Sequence, residues 1–384
     1  MRTFLFLSIL ALLHAYVAAR LGSFLERRFL AWLIVGTSFL LLVGSQFAYR
    51  HFGFEPDAYG LQYVSFLAYF LAGVLATLIC VFLPLDILYL IGSGLRRVFG
   101  ISNTERWVSL FWTVRLTLVG LAFFGALVGL VTVLVGPKVK QVRVVHAGLP
   151  ADLEGFRIVQ ITDLHVGPTV VRQDVQRVVD LVNEQAPDLI AFTGDLADGF
   201  VGQLARHTEP LSGLRAKYGI YAVTGNHEYY WGAPEWIARM EAFGMKVLND
   251  AHAVIAVGSA KLLIGGVPDT QADRFLPEHV SDPVKSIADA PAGVGFKLLL
   301  AHRPSSVFRA AEAGYDLQLS GHTHGGQFIP WSFFVPFAHP YTRGLSQHGS
   351  LQIYVSTGTQ YWGPPNRLGI PGEITVLTLS ARPE

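Results

Sequence analysis

The pattern of apolar and polar positions divides the chain into two halves. Residues 3–19, 29–49, 61–95 and 107–136 are nearly continuous apolar runs. A membrane-crossing helix needs about 20 apolar residues. These runs are too long and too closely spaced for the core helices of a soluble domain, so they predict four spans. Pro84 is expected to kink or end the third. That would leave Asp86 and Gly92-Ser93-Gly94 near the interface, or in a short fifth segment. From Lys138, the first lysine of the chain, short apolar strands alternate with amphipathic helices. Residues 156–161, 189–192, 220–223, 297–300 and 317–319 read as strands. Residues 170–185 read as a helix with Val171, Val175, Val178, Val179 and Val182 on one face. Residues 246–267 and 350–380 are strand-rich and suggest a second sheet. The expected division is 1–137 for the membrane region and 138–384 for a soluble α/β domain.

Composition sharpens this picture. Of 384 residues, 51% are hydrophobic and 15% charged, against about 25% charged in ordinary soluble domains. A net charge of +1 gives no basis for nucleic-acid binding by bulk electrostatics. The single cysteine, Cys80, excludes an intramolecular disulfide. Arg20, Arg27 and Arg28 follow the first run, and Arg96, Arg97 and Arg106 lie between the third and fourth. Only Arg50 lies between the second and third. The positive-inside rule then puts the first and third loops in the cytoplasm, with both chain ends and the soluble domain outside. A signal peptide cleaved after Val17-Ala18-Ala19, with Arg2 as its basic start, would reverse that placement. His14, Asp86 and Arg115 are the ionisable groups in or near the spans. Pairing of Asp86 with Arg115 is a simpler use of them than transport.

Five short motifs stand at or just past the ends of apolar runs in the second half. They are Asp163-Leu164-His165, Gly194-Asp195, Gly225-Asn226-His227-Glu228, Ala301-His302 and Gly321-His322-Thr323-His324. Together they supply enough nitrogen and oxygen for two divalent metals. Two metals about 3.5–4 Å apart are a device for in-line attack on phosphorus. In an extended segment residues two apart point the same way. Asp163 and His165 can thus hold one metal, as can His322 and His324 if their loop turns. The glycines at 194, 225 and 321 let the backbone bend. Imidazole-rich, thiolate-free coordination suits Mn, Fe, Zn or Co better than Mg or Ca. Arg303, directly after His302, is a candidate phosphate contact. Residues 325–337, aromatic and broken by Pro330 and Pro336, either dip into the membrane interface, admit an acyl chain, or pack on their own domain.

The array closely resembles the calcineurin-like metallophosphoesterase superfamily, and every element of that pattern is present from Phe156 onward. Residues 358–369 look like its membrane-associated bacterial branch, and the four preceding spans look like its transmembrane members. The resemblance implies a four-layer α/β/β/α sandwich behind an N-terminal helical transmembrane bundle. It implies Asp163, His165 and His324 on the first metal, Asn226, His302 and His322 on the second, and Asp195 bridging them. His227 would face the substrate and protonate the leaving oxygen. The expected protein is a multi-pass enzyme of a bacterial inner or plasma membrane. It would use two divalent transition-metal ions, manganese among the candidates, to hydrolyse phosphodiester or pyrophosphate bonds. A lipid-linked substrate is favoured, with membrane lipids as surroundings. The alternative is a receptor or transporter with a regulatory domain; the complete metal set, His227 included, speaks against it. A purely structural zinc needs four ligands in a closed site, fewer than the seven here.

Overall fold

Four long helices account for the apolar half of the computed structural model, which describes residues 2–23, 28–101 and 104–382. They are α1 (Arg2–Gly22), α2 (Arg28–Phe52), α3 (Leu61–Val98) and α4 (Thr104–Val135). Each neighbour in sequence is a neighbour in space, and α1 also touches α3. All four are long and apolar enough to cross a membrane. Val17, Val35, Val74, Leu78, Phe82 and Ala126 form the bundle interior. Leu12, Leu33, Leu40, Leu90, Leu116 and Leu134 are each more than half exposed, as suits a surface whose solvent is lipid. Arg27, counted above in the first loop, lies outside the described residues.

The expectation for the third span is corrected here. Pro84 neither ends nor splits the third span. It lies inside α3, which runs unbroken for 38 residues. An internal proline costs a helix one hydrogen bond, and packing against neighbouring helices sustains the rest. At 1.5 Å per residue α3 is about 57 Å long, well beyond the ~30 Å hydrocarbon core. No fifth segment forms among the described residues. Asp86 pairs with Arg115, as expected. It is buried, ion-paired to Arg20 at 2.6 Å and to Arg115, and accepts a hydrogen bond from Tyr16 at 2.7 Å. The charges inside the bundle are spent on one another.

The second half begins at β1 (Lys138–Val145) and β2 (Arg157–Ile161). Then come α5 (Arg172–Glu184), β3 (Leu189–Phe192), α6 (Val201–Thr208), β4 (Ile220–Ala222), α7 (Asn226–Tyr230), α8 (Ala233–Ala242) and β5 (Met245–Val247). The chain continues through β6 (Ala251–Val257), β7 (Ala260–Gly266), β8 (Phe296–Leu300), α9 (Val307–Ala313) and β9 (Leu317–Ser320). It closes with β10 (Gly344–His348), β11 (Leu351–Val355) and β12 (Glu373–Ser380). Two six-stranded sheets result, ordered β1-β12-β2-β3-β4-β5 and β10-β11-β9-β8-β7-β6. The central strands are parallel and buried on both faces, so they read as apolar runs rather than alternations. Ile158, Ala191, Leu262, Leu298 and Leu319 fill the space between the sheets. Val175, Val178, Val179 and Val182 of α5 cover the outside of the first sheet, and α9 lies over the second. This is the four-layer sandwich. The strand-rich tail is shared, however: β11 joins the second sheet, while β12 inserts into the first between β1 and β2. Strand composition alone carries no information about the partner.

The sandwich is docked on one end of the bundle. Gln203 donates to the carbonyls of Tyr49 (2.9 Å) and Phe54 (3.2 Å), and Arg206 pairs with Asp57. Arg367 N donates to Gly129 O at 3.2 Å, so close that a Cβ on Gly129 would overlap Asn366. The excess length of α3 and α4 lies against residues 364–368 of the sandwich, with Gly73 and Gly125 at Pro364 and Leu368. That docking end is opposite the helix ends bearing Arg20, Arg28, Arg96, Arg97 and Arg106.

Candidate metal centre

Every motif follows a parallel strand, and the motifs come from both sheets. β2, β3 and β4 deliver Asp163/His165, Asp195 and Asn226/His227; β8 and β9 deliver His302 and His322/His324. Gln160 ties the two edges together, donating to Thr193 Oγ1 at 2.9 Å and Ser320 O at 3.0 Å. The site therefore lies where two sheets end side by side, as expected for the carboxyl ends of parallel strands.

Three overlapping clusters form there: Asp163/His165/His324, Asp195/His302/His322 and His165/Asp195/His227. Asp195 belongs to two of them. Its Oδ2 is 3.1 Å from His302 Nε2, 3.8 Å from His165 Nε2 and 3.9 Å from His227 Nε2. Its Oδ1 accepts from His227 N at 2.9 Å. His324 Nε2 lies 3.3 Å from Asp163 Oδ1 and 3.1 Å from His165 Nε2. Asn226 is buried beside them and lines the same cavity. His322 and His324 fall in different clusters, so they do not share one metal by facing the same way.

The extended-strand argument for Asp163 and His165 is also corrected. Asp163 (φ 53°), His165 (φ 47°), Asp195 (φ 55°), His322 (φ 68°) and His324 (φ 49°) all have left-handed backbone. Such conformations cost L-residues free energy and persist where the surroundings enforce them, characteristically at functional sites. Here backbone bonds enforce them: Asp163 N to Gly194 O at 2.9 Å and His165 N to Asp195 O at 3.2 Å. Of the three motif glycines only Gly194 has positive φ. Gly225 and Gly321 serve close approach, because a Cβ there would intrude on Asp195 and Asp163.

The donor set fits divalent metals. His302 Nδ1 meets Thr193 O at 2.8 Å, which leaves the buried Nε2 facing Asp195 without a hydrogen-bond partner. His165 Nε2 and His324 Nε2 face each other at a distance that needs a proton or a cation between them. Burial opposes charge on both carboxylates, yet the surrounding histidines hold Asp163 and Asp195 well below the usual range. Burial likewise opposes charge on His302, but Asp195 pushes it up to about 9. Both carboxylates are thus held ionised, and their negative charge favours positive charge at the neighbouring ring nitrogens, carried by protons or by metal.

Three residues had no role in the sequence reading. Asp198 accepts from His165 Nδ1 at 3.2 Å and from His227 Nδ1, orienting both rings. Burial disfavours the charged form of His227, but Asp195 and Asp198 raise its pKa above the ordinary value. Glu228 accepts the backbone N–H groups of Gly225 (2.6 Å), Leu196 (2.7 Å) and Asp195 (3.1 Å), locking two motif loops together. Arg367 Nη2 approaches His324 Nδ1 at 3.1 Å from the helix-docking segment. The signal for Asp198 was its position three residues after Asp195. Arg303 is used differently from the expectation. Its Nε donates to Asp269 at 2.7 Å and its Nη2 to Asn226 Oδ1 at 3.1 Å, so it orients Asn226 and does not line the cavity.

This arrangement agrees with the comparisons with known proteins. Residues 156–326 match the calcineurin-like phosphoesterase family, and the chain belongs to it, as a metal-dependent phosphoesterase that uses two divalent metal ions. It is 33% identical over 361 residues to a transmembrane protein with metallophosphoesterase domain from Danio rerio, covering 91% of this chain and 80% of that one. An uncharacterized metallophosphoesterase of Helicobacter pylori is 34% identical over 248 residues, covering 63% of this chain and 64% of its own. Among solved structures, a 5'-nucleotidase precursor from Thermus thermophilus aligns over 58% of this chain and 55% of that one, with 19% identity and a TM-score of 0.40. With four helices among the described residues long and apolar enough to cross a membrane, the protein is a membrane protein.

Proposed function

We propose that the protein is a membrane-anchored, dinuclear-metal hydrolase of phosphodiester or pyrophosphate bonds whose substrate carries an apolar chain. One observation carries the reading. The metal cavity, about 550 Å³, shares His322, His324 and Trp362 with an apolar cavity of about 590 Å³. The second cavity lies between Ala76 of α3 and the aromatic loop. In that loop Phe333, Phe334 and Phe337 are 64%, 50% and 89% exposed, and only Phe328 is packed away. Exposed aromatics beside membrane helices fit a lipid-facing entrance.

In this reading Asp163, His165 and His324 hold one metal and Asn226, His302 and His322 the other, with Asp195 common to both. When bound, the metals activate water and neutralise charge on the phosphoryl oxygens. The chain's own groups do the rest. Asp198 and Thr193 O fix the rings of His165 and His302. His227, held by Asp198, gives a proton to the leaving oxygen as its bond to phosphorus breaks and the water oxygen bonds to phosphorus. Arg303 keeps Asn226 in place.

The chain-length dependence of hydrolysis tests this. In metal-loaded protein, kcat/KM for 4-nitrophenyl alkyl phosphodiesters at fixed mole fraction in mixed micelles should rise from methyl to dodecyl. Four buried methylenes correspond to about 10²-fold. A flat series would remove the apolar-chain substrate, and no hydrolysis of any member would remove the hydrolase.

The domain is further proposed to lie outside the cytoplasm of a bacterial inner or plasma membrane, drawing its substrate from the outer leaflet. The arginine-rich helix ends lie at the far end of the bundle from it, and the positive-inside rule puts them inside. Reporters active on one side only, fused after Gly136 and at the C-terminus, should both report the extracytoplasmic side. If both report cytoplasm, the topology is inverted.

A further inference from the structure

The metal cavity is not built from the soluble domain alone. Gln46 and Arg50 of α2 and Tyr69 of α3 line it together with the histidines. Among the described lining residues Arg50 is the only lysine or arginine. Its guanidinium lies over the ring of Trp231, 5.0 Å from the centroid, and forms no ion pair among the described residues. Trp231 is fixed in turn: its ring meets Tyr49 at 6.3 Å and Phe200 at 5.2 Å. Tyr49 is itself buried where Gln203 grips the end of α2. A planar cation stacked on a held aromatic is preorganised for an anion, and its fork matches carboxylate or phosphate. The two acidic residues of the cavity, Asp195 and Asp198, are already engaged by histidines.

Resting on the phosphoesterase reading above, we propose that the second membrane helix completes the active site, with Arg50 receiving a second, non-scissile anionic group of the substrate. Arg50 lines the metal cavity but not the apolar one, and the two cavities meet at His322, His324 and Trp362. The substrate class is then an amphiphile with an apolar chain on one side of the scissile phosphorus and an anionic headgroup on the other. Arg50 is a specificity residue, and a soluble domain cut free of α2 would lack it.

The test uses the full chain in detergent, loaded with metal, and two probes. These are the dodecyl phosphodiesters of 4-methylumbelliferone, a neutral leaving group, and of 7-hydroxycoumarin-3-carboxylate, an anionic one. Their kcat/KM ratio is compared between proteins, so intrinsic reactivity cancels. Thermal midpoint and metal content are measured on each variant. Arg50→Met should lower the ratio in favour of the carboxylate probe about ten-fold, through KM, the worth of one hydrogen bond between charged groups. Arg50→Lys should restore part of it, keeping the charge without the fork. Added salt should lower the wild-type ratio. An unchanged ratio in Arg50→Met, equal loss on both probes, or a salt-insensitive wild-type ratio overturns the subsite while leaving the hydrolase intact. Hydrolysis of neither probe by wild type overturns both.

Discussion

Asp195→Asn is expected to lower kcat/KM for a bis-aryl phosphodiester by about 10³-fold or more, close to the activity left after chelation. A catalytic metal contributes several kcal/mol of charge stabilisation in the transition state, and each 1.36 kcal/mol is ten-fold in rate. Among the described residues Asp195 is the one carboxylate common to two donor clusters. Its Oδ2 faces three ring nitrogens within 3.9 Å, and its Oδ1 holds the backbone of His227. Asparagine keeps the shape but removes the charge and turns an N–H donor toward a cation position. Metal content per chain should fall with activity. Asp163→Asn, His302→Ala and His322→Ala, assayed alongside, should each lose less. If Asp195→Asn keeps full metal occupancy and near-normal turnover, the bridging role is wrong.

His227→Ala should leave both metals bound and lower kcat by about 10²–10⁴, the range for losing a positioned proton donor. His227 lines the cavity, and its Nδ1 is taken by Asp198, so its Nε2 edge remains for a substrate. The loss should shrink for nitrophenol, which leaves without help, and grow for an alkoxide. Metal analysis separates this from damage to the site, and equal losses across leaving groups would remove the proton-donor role.

The span positions were legible because lipid as solvent demands about 20 apolar residues in a row, whatever the bundle does with them. The strands were legible because parallel strands buried on both faces must be apolar throughout. Their order was not, since β11 and β12 are alike in composition and enter different sheets. Pro84 misled for a related reason. A local helix-breaking rule was overridden by packing that only the assembled bundle supplies. The left-handed backbone at five motif residues was invisible as well, because that region is a minority conformation even for Asp and His; for Asp163 and His165 hydrogen bonds between loops hold it.

By itself, the sequence determined which chemistry is present. The donor types, their placement after apolar runs and the spans ahead of them are one-dimensional properties that survive any arrangement of the sheets. The tertiary structure alone decided how that chemistry is held and where it opens. Asp198, Glu228 and Arg303 acquire their roles from partners that other strands bring to them. Arg50 looks like an ordinary residue at a helix end until docking turns it into the cavity wall. The physical reason is range. Burial and metal affinity are legible in residue type, whereas orientation and access depend on contacts between segments far apart in the chain.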